Sequence, residues 1–100
     1  MKIKDNSVKL AGLRPEVVVA MVIADQVYAK HDKAFVITSV TDGKHSDTSL
    51  HYTGNAFDCR IYDDIDNEAL RDEIKGKLNV DFDVVLEGNH IHIEFQPKWR

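Results

Sequence analysis

Residues 83–95 read DVVLEGNHIHIEF, and the way this stretch pleats decides the fold. Two apolar-rich runs flank Gly88-Asn89, a dipeptide suited to a tight primed turn between antiparallel strands. That reading predicts a hairpin with Glu87 opposite His90 and Leu86 opposite Ile91. Side chains alternate across a strand, so Glu87, His90, His92 and Glu94 share one face. Leu86, Ile91 and Ile93 share the other. One face is apolar and packs on something; the other collects two imidazoles and two carboxylates. A solvated sheet face more often carries Thr, Lys and Gln, so this asymmetry is the most informative feature of the chain.

The neighbouring segments extend the pattern. AFDCRIY (56–62) alternates as well: Phe57, Cys59 and Ile61 point one way, Asp58 and Arg60 the other. AFVITSV (34–40) is short, β-branched and apolar, and reads as a buried strand. RPEVVVAMVIADQVYAK (14–30) begins with Pro15 and Glu16, which suit a first helical turn. Its valines also permit a strand, but its length favours a helix. DNEALRDEIKGKL (66–78) has Asp66 as a candidate cap, and Leu70, Ile74 and Leu78 recur every four residues, which predicts an amphipathic helix. The expected class is α+β: a small, mainly antiparallel sheet with helices on one face and the polar cluster on the other.

With 100 residues the chain suits a single domain over 1–100. Apolar residues at 43% and charged residues at 30% are an ordinary globular composition. A net charge of -4, with no Lys/Arg run, argues against a partner held by its phosphates, so no nucleic acid is expected. The longest apolar stretch, VVVAMVIA, is too short to span a bilayer, and no membrane partner is expected. The start, MKIKDNSVKLAGL, lacks a signal-peptide core, so synthesis in the cytoplasm is expected, with any outside action needing release or delivery. A monomer is expected. Cys59 is the one cysteine, which excludes an intrachain disulfide and a four-cysteine zinc knuckle. It should be an inert buried thiol.

Any bound metal must therefore use His, Asp or Glu. A catalytic zinc takes three protein ligands at roughly 2.0–2.2 Å and leaves a position for water. The chain offers His51, Asp58 and His92 as such a set, drawn from different elements rather than from one helix. Gly54 lets the backbone turn after His51, and Ala56 leaves room beside the strand that presents Asp58. The plain alternative is that these are surface or hydrogen-bonded residues, and spacing in one sequence does not decide between the two.

A family resemblance bears on that choice. SLHYTGNAFD (49–58) resembles the Ser-x-His-x-x-Gly-x-Ala-x-Asp motif of zinc D-Ala-D-Ala carboxypeptidases and related peptidoglycan peptidases, with Ser49, His51, Gly54, Ala56 and Asp58 at the motif's spacing. HIHIEF (90–95) resembles the closing His-x-His strand of the same superfamily, and DGKHSDTSLHYTGNAFD (42–58) is similar to the zinc site of the hedgehog signalling domain. The likeness covers about residues 13 to 96. It implies that His51, Asp58 and His92 bind Zn2+. It implies that Glu87, ahead of the His-x-His strand, is the general base. His45, like the extra histidine of the hedgehog pattern, would orient water or the oxyanion, and His90 would stand behind a ligand or meet the transition state.

One departure shifts the expected substrate. Carboxypeptidases of this family carry an arginine just after the strand equivalent to FVITS, where it holds a terminal carboxylate. Here the segment runs Ser39-Val40-Thr41-Asp42, and neither Lys44 nor Arg60 matches the position. The resemblance then implies an endopeptidase acting on peptidoglycan stem peptides or cross-links at the bacterial cell wall, of the kind found in phage or prophage lysis enzymes. A carboxypeptidase, a zinc-holding binding module without turnover, and a structural virion or tail protein are the alternatives. Elsewhere, Trp99 suits a surface anchor packed on the core, and Tyr52 suits the cleft or packing equally. His31 suits the end of the first helix, and the acidic 63–68 stretch lacks calcium-loop spacing.

Overall fold

Pro15 opens α1 (Pro15–Lys30), a 16-residue helix. Val17, Ala20, Met21, Ala24, Val27 and Tyr28 are its buried residues, at the three- and four-residue steps of one helical stripe. The valines do not turn the segment into a strand, because burying that stripe outweighs their weak preference. The helix ends in a reciprocal pair of hydrogen bonds: Asp32 N–H donates to Ala29 O and Lys33 N–H to Tyr28 O, each at 3.0 Å. Asp32 sits at φ 57, a left-handed position more often given to glycine.

The second helix, α2 (Asn67–Lys77), is capped as its sequence predicts: Asp66 Oδ1 accepts the Ala69 N–H at 3.1 Å. Leu70 and Ile74 are buried, and Leu78 packs on the core from the C-cap, one residue past the helix. Glu73 ties the helices together. It accepts from Lys30 Nζ and from His31 Nε2, the latter at 3.0 Å, and Lys30 foremost, then His31, holds its carboxyl below the usual range.

The computed structural model of the chain describes residues 1–8, 10, 12–41 and 55–97. Five strands form one sheet: β1 (Lys2–Ile3), β2 (Val36–Thr41), β3 (Ala56–Arg60), β4 (Phe82–Leu86) and β5 (His90–Phe95), in the order β1-β2-β3-β5-β4. Every pairing is antiparallel except β1 with β2, which run parallel because α1 carries the chain back between them. The sheet is thus mixed, mostly antiparallel. The β4–β5 register pairs Leu86 with Ile91 and Val84 with Ile93, as the sequence predicts. The turn itself differs from expectation. Glu87 N–H donates to His90 O at 2.8 Å, but neither Gly88 nor Asn89 has positive φ, which a primed turn requires. The apolar alternation fixes the pairing here, without help from turn type.

The core lies between the helices and one face of the sheet. The helix stripes meet Phe35, Ile37, Phe57, Cys59, Phe82, Val84, Ile91, Ile93 and Phe95, all buried. The Tyr28 hydroxyl crosses this layer to donate to Arg60 O at 2.6 Å, and it lies 3.4 Å from Cys59 Sγ. Burial pushes the Cys59 thiol up to about 12. That inert, buried cysteine matches the sequence reading.

Candidate metal centre

The opposite sheet face carries the polar residues. β3 and β5 pair antiparallel with Asp58 against His92 and Arg60 against His90. Because directly paired residues project to the same side, Asp58 and His92 meet, although 34 positions separate them. The His92 Nδ1–H donates to Asp58 Oδ1 at 2.7 Å, and the Nε2–H donates to Glu94 Oε1 at 2.9 Å. Asp58 above all, then Glu94, raises the imidazole to about 9 against the opposing effect of burial. His90 Nε2 lies 3.7 Å from the same Asp58 oxygen, and its Nδ1 pairs with Asn89 Oδ1 at 2.6 Å. Val85, opposite His92 on β4, is an exposed apolar residue beside this cluster.

The remaining expected residues divide in two. Glu87 is half-buried, just past β4, and the hairpin register sets it opposite His90. His45 and His51 lie outside the described residues, as do Ser49, Gly54, Tyr52, Lys44 and Trp99. Among the described residues, no group of three His, Cys, Asp or Glu side chains forms a metal cage. Two of the three expected donors are therefore brought together. Their atoms, a carboxylate oxygen and a ring nitrogen, are those zinc takes once the nitrogen gives up the hydrogen it shares with Asp58, and on those terms the pair fits a zinc ion in donor chemistry.

Two residues were given no role by the sequence reading. Glu94 has a side chain only 4% exposed, although it lies on the polar face. Its place two residues beyond His92 on the same strand was the available signal. Asn55, wholly buried, ties the start of β3 to the end of β5: its Nδ2 donates to Phe95 O at 2.5 Å, and its own carbonyl accepts the Phe95 N–H at 2.8 Å. These bonds fix the frame from which Asp58 projects. No pattern in the sequence marked it.

A groove of about 300 Å³ lies elsewhere, lined by Glu16, Val19, Asn79, Asp81, Phe82 and Phe95, and it includes none of the expected site residues. No helix among the described residues is long and apolar enough to cross a membrane. Comparison with protein-family models, curated proteins and solved structures finds no match.

Proposed function

We propose that the chain is a zinc-dependent peptidase that hydrolyses peptide bonds in bacterial peptidoglycan stem peptides or cross-links, as an endopeptidase acting at the cell wall after release or delivery. The observation that carries this reading is the Asp58–His92 pair. The nitrogen and oxygen stand 2.7 Å apart, on neighbouring strands, on the sheet face turned away from the helices. The sequence likeness supplies His51 as third ligand and Glu87 as base.

Bound zinc would polarise the scissile carbonyl and lower the pKa of water to around 7. The protein's part is to move protons and hold charge. Glu87 takes a proton from the attacking water, and the same carboxyl returns it to the amine nitrogen as the C–N bond breaks. His90, beside Asp58, and His45 steady the developing oxyanion. No arginine follows β2 to hold a substrate's terminal carboxylate, which favours cleavage within a chain over release of its last residue.

The test is incubation with purified peptidoglycan and mass spectrometry of the released fragments. We expect about one zinc per chain, peptide-bond cleavage that a chelator abolishes, and a loss of roughly 10²–10⁴-fold in Glu87→Ala with the metal retained. Wild-type rates in that variant would remove Glu87 from the mechanism. Tight zinc with no released fragments would leave a binding module instead.

A further inference from the structure

The polar sheet face carries two charges that have no role in the mechanism above, and they stand on opposite sides of the Asp58–His92 pair. Arg60, on β3, faces His90 across the ladder, and Asp83, on β4, faces Glu94. Directly paired residues project to one side, so both side chains share the face of Asp58 and His92. Arg60 is exposed and Asp83 half-buried. Among the described residues, neither the guanidinium nor the Asp83 carboxylate makes a hydrogen bond or ion pair. Glu87, unpaired too among the described residues, is already the base. Between them the charges interlock: His92 joins Asp58 to Glu94, and Gln96 Nε2 donates to the other oxygen of Glu94. Both outer pairings are poor ones for the fold. Like charges directly opposite on a sheet destabilise it, and Asp83 faces an acid, while Arg60 faces a histidine where an acid would serve stability better.

The sheet fixes their separation. His90 and Glu94 are four residues apart on β5, and β3 and β4 are two strand spacings apart. At about 3.4 Å per residue and about 4.8 Å per spacing, the Cα atoms of Arg60 and Asp83 lie about 17 Å apart, with His92 midway along the diagonal. An extended peptide covers that distance in about five residues. We propose that Arg60 and Asp83 are substrate-binding residues that hold a peptide along this diagonal: Arg60 takes a side-chain carboxylate on one side of the scissile bond, and Asp83, with Glu94 beside it, takes an ammonium group on the other. A guanidinium can hold a carboxylate by two parallel hydrogen bonds, and the ammonium relieves the facing acids. The carboxylate is one within the chain, since Arg60 stands on β3 and does not fill the place after β2 where an arginine would hold a chain end. A stem peptide with a glutamyl carboxyl and the amine of a diamino acid carries this charge pair. The inference rests on the peptidase reading for the place of the scissile bond, and on the sheet's register for the two charges.

Binding and cleavage are measured together, on the full chain with Zn2+ present, using synthetic peptides of about five residues that bear one glutamyl and one lysyl side chain on opposite sides of the central bond, made in both orders. Fluorescence anisotropy reads affinity and mass spectrometry reads fragments. The wild type should bind the fully charged peptide of the tighter order about tenfold better than a version with the carboxyl amidated, and about tenfold better than one with the amine acetylated. Arg60→Ala should lose the first preference and keep the second, and Asp83→Asn should do the reverse. Neither change touches the core: Arg60→Ala keeps the carbonyl that accepts from Tyr28, and Asp83→Asn removes one of two facing acids. A preference unchanged in its variant overturns the role of that residue. A wild type that binds all three peptides alike overturns the proposal, and if it still cuts them the peptidase reading stands. Both preferences without cleavage keep the proposal and remove the peptidase. Neither binding nor cleavage removes both.

Discussion

Removing one oxygen atom from Tyr28 should weaken the whole domain. Tyr28 is fully buried, and its hydroxyl donates to Arg60 O at 2.6 Å beneath the strand that presents Asp58. Tyr28→Phe keeps the ring, including its tilted packing on Phe35 at 5.2 Å between centroids, and deletes only the donor. The cost is one hydrogen bond plus a carbonyl left without that donor in a water-poor layer, about 1–3 kcal/mol. At this size each kcal/mol moves the melting temperature by roughly 4–8 °C, so a 2 kcal/mol loss lowers it by about 8–16 °C. Tyr62→Phe is the matched control. Its hydroxyl also donates to a backbone carbonyl, Ala34 O at 2.7 Å, but in an exposed setting where water can replace it, so about 0.5–1 kcal/mol is expected. Urea unfolding of the three proteins under identical conditions gives the comparison. A Tyr28→Phe midpoint equal to the wild type, or no lower than that of Tyr62→Phe, would refute the reasoning.

Three further outcomes follow from the packing and the charges. Cys59, with its thiol pushed up to about 12 by burial, should resist a disulfide reagent at pH 8 in the native protein and react at one thiol per chain in urea; rapid native labelling would contradict its burial. Glu73 titrates lower folded than unfolded, so its contribution is present above its ordinary value of 4.5 and lost as pH falls through the folded one. Thermal melts of Glu73→Gln should therefore decline less steeply than the wild type between pH 5 and pH 3. Asp32→Gly should relieve roughly 1–2 kcal/mol of left-handed strain at φ 57 against about 0.5–1 kcal/mol of glycine's extra chain entropy, a net gain of about 0.5–1 kcal/mol read as a higher urea midpoint; a lower midpoint would show that the aspartate is favoured there.

The sequence carried the sheet's pairing because apolar alternation leaves little freedom. Leu86, Ile91 and Ile93 all reach the core in only one register, and that register puts His92 beside Asp58 once β3 is added. Both helices were legible for the same reason, in the stripe of α1 and in Asp66 with Leu70 and Ile74 of α2. What was not legible depended on contacts rather than pattern. β1 has two residues, too few to show a period, and it is held by backbone bonds from Lys2 N–H to Phe35 O and Lys4 N–H to Ile37 O. The turn at Gly88-Asn89 departs from the expected primed geometry because composition permits that geometry without imposing it. The alternation puts Glu94 on the polar face, but its contact with His92 Nε2 depends on rotamers that no sequence pattern carries. The pairing of Asp58 with His92 was implied; that His92 holds a carboxylate at each nitrogen was not.

The pleat of β3 and β5 has a consequence for how this molecule can change. Phe57, Cys59, Ile91 and Ile93 point to one side while Asp58 and His92 point to the other, residue by residue along the same two strands. Slipping either strand by a single position would drive the imidazole among the phenylalanines and turn the isoleucines out to water. Any sequence variant that keeps its interior must therefore keep the histidine facing the aspartate, whereas exchanging those two side chains in place leaves the interior untouched. Chemistry on this sheet can be rewritten without refolding it, but it cannot be misaligned without unfolding it.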